Sequence, residues 1–206
     1  MCIRDSSTAY AYVAYQTAWL KVYHTAEFMS ANLTSEMRTI DRVVILINES
    51  KKMGIEVVPP NINISYEDFR PVNDTTISYG LNAIKNVGLK ALKTIINERD
   101  KNGEHESIFD LCARVDQQKV NKRVLESLIM SGALDSFKGN RSQKFSAVDD
   151  AIKYGQQMQS ETNRNQVDIF GSAGIEEELI KVPSLKDIPN WSEKVSLAKE
   201  KEVLFC

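Results

Sequence analysis

Cysteine is scarce and scattered in this chain. Cys2, Cys112 and Cys206 are the three in 206 residues, an odd number with no C-x-x-C spacing. That excludes a disulfide framework and a thiolate metal site, and fits a reducing, cytoplasmic setting. Histidine is scarcer. His24 and His105 fall in no H-x-x-x-H or H-E-x-x-H pattern, which removes the zinc-hydrolase readings and leaves each expected at the surface or a helix end. No apolar run approaches the roughly 20 residues that span a bilayer, and the N-terminus lacks a signal-peptide core, so no membrane role is expected. Also missing are G-x-x-x-x-G-K-[ST], G-x-G-x-x-G and G-x-S-x-G, so nucleotide hydrolysis, dinucleotide binding and acyl transfer have no support. The acid pairs Glu67-Asp68 and Asp149-Asp150 are adjacent in sequence and point apart on a helix or strand. The expectation is therefore a solvated face, with no catalytic residue and no bound metal.

What is present is charge, unevenly placed. The whole chain carries a formal charge of -2, which excludes a globally basic nucleic-acid binder and says nothing about patches. Residues 1–79 hold 7 Lys+Arg against 9 Asp+Glu, residues 80–144 hold 12 against 8, and residues 145–206 hold 7 against 11. The middle of the chain is basic.

Periodicity predicts a mainly α fold: helical bundle segments, a small β-hairpin and tandem helix-hairpin-helix units. From Thr8 to His24, Tyr12, Val13, Tyr15, Ala18, Trp19, Leu20, Val22 and Tyr23 recur without Gly or Pro, which predicts a well-buried helix. A short helix around Ala26 to Asn32 follows, then an amphipathic one over Glu36 to Met53 closed by Gly54 in the left-handed conformation. Residues 1–54 form one helical unit in this reading. Residues 55–79 form an extended connector: Ile55 to Val58 is β-branched, Pro59-Pro60 stops any helix, and strands near Tyr66 to Val72 and Thr76 to Tyr79 flank an Asn73-Asp74 turn. Residues 80–160 are helical again, with Ser107 capping one helix and Asn121 another. A helix from about Arg141 to Gln159 is expected to give way to a polar linker from Ser160 to Asn165. Residues 161–206 complete the chain, wandering through three glutamates and two prolines to a last helix capped by Ser192 and ending near Leu204.

Two constellations carry chemistry. In Leu81-x-x-Ile84-Lys85-Asn86-Val87-Gly88, a short helix meets a tight hairpin in which Asn86 and Gly88 are expected to reach left-handed angles before a second helix. Backbone N–H groups at the hairpin and helix start are then free to meet a phosphate oxygen, with Lys85, Lys90 and Lys93 adding charge. A looser copy at Leu128 to Leu134, turning at Gly132, follows the basic cluster Lys119, Lys122 and Arg123. Contacts of this kind hold the DNA backbone without reading sequence, so binding should be non-specific and salt-sensitive. The competing reading makes Gly88 and Gly132 ordinary caps between packed helices. The second constellation is Gln166-Val167-Asp168-Ile169-Phe170, beyond the polar stretch. Ile169 and Phe170 either anchor a short peptide in a partner's pocket or fold back on the chain's own core.

Several blocks, in order, carry a resemblance: Thr8-Ala9-Tyr10-Ala11-Tyr12-Val13-Ala14-Tyr15-Gln16-Thr17-Ala18-Trp19-Leu20-Lys21, Tyr79 to Gly88, Ser107-Ile108-Phe109-Asp110-Leu111-Cys112, and Leu128 to Asp135. Over about residues 8–204 the chain resembles the alpha-subunit family of bacterial DNA polymerase III. The resemblance implies the end of a fingers domain, a helix-hairpin-helix module whose hairpin at Lys85 to Lys90 touches duplex or primed DNA, and a sliding-clamp-binding motif at Gln166, Asp168, Ile169 and Phe170. It also implies a longer parent that is a DNA-directed DNA polymerase using two Mg2+ ions, clamped to the beta subunit and joined to other replicase subunits. The metal-binding palm lies outside this stretch in that family, so the segment alone is expected to be inactive, with both ends reading as truncations. The alternative is a free-standing, non-catalytic DNA-binding adaptor.

Overall fold

The structure, a computed structural model, describes residues 3–167 and 181–204. Helix α1 (Ile3–Tyr23) is followed directly by α2 (Thr25–Ser35) and, after a turn, by α3 (Ile40–Lys52). On α2 the residues Ala26, Met29 and Leu33 are fully buried, one face at helical spacing. Helix α1 corrects the sequence expectation of a well-buried element: Tyr10 is 76% exposed, Tyr15 69% and Val22 69%. Its apolar residues lie all round the cylinder, so no one face is selected for a core. Its C-terminal end is anchored. Trp19 lies 5.1 Å from Tyr23 and 5.3 Å from His24, ring centre to ring centre, and Lys21 pairs with Glu49 of α3 at 2.5 Å. Helix α3 starts four residues later than its periodicity suggested, and Gly54 ends it at φ +80° as expected.

The expected β-hairpin is present as β2 (Arg70–Asn73) and β3 (Thr76–Ser78). Asn73 Oδ1 accepts from the Thr75 N–H at 2.9 Å, the side-chain closure that makes Asn a turn residue. The hairpin is part of a larger sheet: β1 (Glu56–Val58) lies parallel to β3 on its other edge, giving the order β1-β3-β2. Ile77, in the central strand, is fully buried.

The rest is helical: a 3-10 turn Leu81–Ala83, α4 (Leu89–Asn102), α5 (Ile108–Arg114), α6 (Lys122–Met130), α7 (Arg141–Ser146), α8 (Val148–Val167) and α9 (Glu193–Val203). Of the three N-caps expected, at Ser107, Asn121 and Ser192, the first two hold. Ser107 Oγ accepts from the Asp110 N–H and Asn121 Oδ1 from the Val124 N–H, each at 3.1 Å. Ser192 precedes α9 without a side-chain cap bond. The single helix expected over Arg141 to Gln159 is two, α7 and α8. The stretch from Ser160 to Asn165, expected to be a linker, continues α8, because it lacks the Gly and Pro that would break a helix.

One core joins these pieces. Leu81, Ile84, Leu92 and Ile95 from the first half and Leu125, Leu128, Ile129 and Leu134 from the second are all buried in it. Two polar devices fix the frame. Arg99 of α4, 6% exposed, donates to the Ile62 and Ser65 carbonyls at 3.1 and 2.8 Å, tying the proline-bearing loop to α4. Helix α8 lies so close to α5 that a side chain at Gly155 would collide with the Cys112 carbonyl. Gln117 Nε2 bridges Cys112 and Ile152 carbonyls there, at 3.1 and 3.0 Å.

His105 is a second correction. It is 2% exposed, with Nδ1 lacking a hydrogen bond and lying 3.8 Å from Asp110 Oδ2. Burial, reinforced by the nearby Arg114 charge, holds its pKa below the ordinary histidine value.

Candidate nucleic-acid interface

The first hairpin is built against the segment that leads into β2. The Leu81 N–H donates to the Tyr66 carbonyl at 2.8 Å and the Asn82 N–H to the Glu67 carbonyl at 3.0 Å. This close approach requires Gly80, where a Cβ would stand 2.7 Å from the Phe69 nitrogen. Leu81, Ile84 and Val87 point into the core while Lys85, Asn86, Gly88, Leu89, Lys90 and Lys93 are exposed. One stretch of chain thus alternates between anchor and presenting surface.

The left-handed residue is Asn86, at φ +65°. Its side chain donates to Ser127 Oγ of α6 at 3.3 Å, linking the hairpin to the helix of the second unit. Gly88 departs from expectation. It sits at φ -80°, ψ 150°, extended backbone that any residue adopts, as the residue preceding α4. The turn reverses at Asn86, so Gly88 has no left-handed angle to supply. Its surroundings are open, with nothing within 4 Å of an added Cβ.

Helix α4 therefore starts with no side-chain cap and no acid in its first turn. The N–H groups of Leu89, Lys90 and Ala91 have no partner within the helix, and the positive end of the helix dipole faces solvent. By contrast, α5, α6 and α7 are each capped by a side chain. Lys85, Lys90 and Lys93 make no ion pair among the described residues. Uncapped amides beside unpaired ammonium groups are a receptive surface for an anion. Val87 is turned inward and offers an anion neither side chain nor amide: its side chain is 5% exposed and its N–H donates to the Ile84 carbonyl at 3.3 Å.

The second hairpin is closed. Gly132 turns at φ +82° as expected, but it is buried under the Arg141 guanidinium. The carbonyls of Leu134 and Phe137 accept from the buried ammonium of Lys144 at 2.7 and 3.2 Å, and that desolvated ammonium has its pKa lowered by burial. Of the basic cluster, Lys119 pairs with Asp116 at 2.9 Å and Lys122 with Asp149 at 2.8 Å. Arg123 stays exposed and unpaired among the described residues. The two sequence copies are alike in pattern and unlike in what they leave free.

Gln166 falls at the end of α8, and Asp168, Ile169 and Phe170 lie outside the described residues. Among the described residues no group of three or more His, Cys, Asp and Glu side chains is placed to hold a metal ion. Asp149 is engaged by Lys122 and Asp150 by Lys186, on separate partners. No helix among the described residues is long and apolar enough to cross a membrane.

Sequence reasoning missed α9 as a part of the hairpin. The Lys85 N–H donates to the Val203 carbonyl at 2.9 Å, a backbone contact across most of the chain that leaves no mark in residue type.

Comparison with known proteins agrees with this geometry. The family described as "Helix-hairpin-helix motif" matches residues 54–144, which contain both hairpins. The chain is similar to DNA polymerase III subunit alpha of Vibrio cholerae serotype O1, 41% identical over 98% of this chain and 17% of that one. The protein of the same name from Escherichia coli strain K12 is 41% identical over the same shares. That of Buchnera aphidicola subsp. Schizaphis graminum is 43% identical over 82% of this chain and 15% of its own length. The chain spans about a sixth of the length of these curated relatives.

Proposed function

We propose, from the premise that this chain is homologous over nearly its whole length to one sixth of the DNA polymerase III alpha subunit, that it supplies that polymerase's grip on the DNA backbone. The observation that carries the reading is the first hairpin. It offers an uncapped α4 N-terminus, a left-handed Asn86 and three lysines without ion pairs, all on one exposed stretch. A phosphate oxygen takes the amides of the first turn, and Lys85, Lys90 and Lys93 neutralise neighbouring phosphates. Such contacts ignore base identity, as a polymerase that must move along any sequence requires. Arg123 adds charge from the second unit, whose Gly132 turn is structural.

In this reading DNA-directed DNA polymerase activity, with its Mg2+ ions, belongs to the longer cytoplasmic protein. The segment contributes binding and position. The stretch Gln166 to Phe170 tethers the polymerase to the sliding clamp, which raises the local concentration of the primer end without new contacts at the reacting atoms.

Fluorescence anisotropy of the 206-residue chain with a primed duplex, at rising salt, tests the reading. Each phosphate contact contributes a log–log slope of about -0.9, so three lysines give a slope of about -3. A flat response contradicts it.

A further inference from the structure

Helix α9 touches both hairpins, one turn apart. Glu200 accepts a hydrogen bond from Arg141, whose guanidinium also grips Asp135 through Nε at 2.9 Å and Nη2 at 2.6 Å directly over Gly132. Three residues further on, the Val203 carbonyl takes the Lys85 N–H at 2.9 Å. Residues three apart share a helix face, so fixing Glu200 on the second hairpin fixes Val203 on the first. Val203 and Leu204, 1% and 8% exposed, seal the contact. Besides its packing on α6, α9 is held by Lys199, which lies 4.6 Å from the Trp191 ring centre and 4.8 Å from that of Phe145, and neither ring belongs to the first hairpin.

We infer that the Arg141–Glu200 ion pair is a positioning device for the DNA-contacting hairpin: it holds α9 so that the Val203 carbonyl fixes Lys85 and the left-handed turn at Asn86 in the shape that presents the α4 N-terminus. The closed second hairpin is thus the buttress of the open one. The inference rests on the DNA-backbone reading above and adds a residue to it that touches no DNA.

Charge and position make opposite demands here, which gives a clean test. Removing the Glu200 carboxylate makes the chain more positive, and counterion release alone then favours tighter DNA binding. If Glu200 acts through Val203, Glu200→Ala instead binds primed duplex about tenfold more weakly, the order of one charge-assisted hydrogen bond lost. The Lys85 amide also loses its protection from hydrogen exchange, while that of Leu125 in the core keeps it. Arg141→Lys, which retains a cation facing Glu200, loses less affinity than Glu200→Ala. A natively folded Glu200→Ala that binds as well as the parent or better overturns the inference, as does an unchanged Lys85 amide. Should Glu200→Ala lose its fold, Glu200→Gln, which removes the charge and keeps the volume, is judged by the same two readings. Lys85→Gln with Lys90→Gln separates the two levels. If the parent binds no DNA, or this double variant binds like the parent, the DNA reading fails and the inference with it. Weakened lysine variants beside a strengthened Glu200→Ala would sink the positioning role alone.

Discussion

Three substitutions at two positions, Asn86 and Gly88, distinguish where the first hairpin stores its left-handed turn. Asn86 at φ +65° is tolerated because a short polar side chain fits there. Asn86→Val places a β-branched residue at that angle, at a cost of about 1–2 kcal/mol. It also deletes the bond to Ser127 Oγ, and Ser127 is 1% exposed, so a buried hydroxyl loses a partner, for about 1 kcal/mol more. The expected loss is about 2–3 kcal/mol in urea unfolding followed by circular dichroism, with weaker DNA binding in parallel. Asn86→Gly relieves the angle and loses only the bond, so about 1 kcal/mol is expected. Gly88→Ala should not destabilise, since its φ of -80° and ψ of 150° suit any residue and its Cβ meets nothing within 4 Å. A small gain, roughly 0.5 kcal/mol, is expected from the stiffer unfolded chain. The reasoning is refuted if Gly88→Ala loses as much as Asn86→Val, or if Asn86→Val is as stable as the parent.

Gly155→Ala ordinarily improves a helix by about 1 kcal/mol; here it should lose about 1–3 kcal/mol, because the methyl would sit 2.7 Å from the Cys112 carbonyl carbon and displace Gln117. A thermal melt above the parent's would show that α5 and α8 are further apart than described. His105, its pKa lowered by burial, makes stability depend on pH with a definite sign. The unfolded chain takes up the proton near the ordinary value of about 6.5 and the folded one only below it, so stability is full above about 6.5 and falls as pH drops. Urea midpoints at two pH values, beside His105→Gln, should show a fall that the variant reduces; equal falls in both would exclude His105 as the cause. For the tether, Gln166→Ala with Phe170→Ala should abolish binding to a purified bacterial sliding clamp in surface plasmon resonance while leaving DNA affinity unchanged. Retained clamp binding would move the tether elsewhere.

What was legible in the sequence is chemistry that acts over three or four residues. Ser107 and Asn121 cap as their spacing requires, and Gly54 and Gly132 take left-handed angles. Gly88 misled because glycine serves equally before a helix and at a left-handed turn, so the residue type alone does not say which. Helix α1 misled differently: apolar composition without a polar face indicates a helix and not what covers it. The parallel pairing of β1 with β3, the burial of His105 and the Arg141–Glu200 pair, 59 residues apart, all depend on contacts between distant segments. For the candidate site, the exposure of Lys85, Lys90 and Lys93 and the left-handed turn at Asn86 were legible from pattern and charge. That the first hairpin is open and the second closed was not, because Arg141 and Lys144 close the second by reaching back from α7, a placement only the fold determines.

The most direct test of the account compares two charge-removal variants by anisotropy on the same primed duplex across a salt series. Lys85→Gln, Lys90→Gln and Lys93→Gln together strip the open hairpin; Lys119→Gln and Lys122→Gln strip the cluster already engaged by Asp116 and Asp149. The account predicts that the first set reduces affinity strongly and flattens the salt slope by about 3, while the second changes both little. Equal losses from the two sets, or a larger loss from the second, would contradict the claim that the first hairpin is the one that holds DNA.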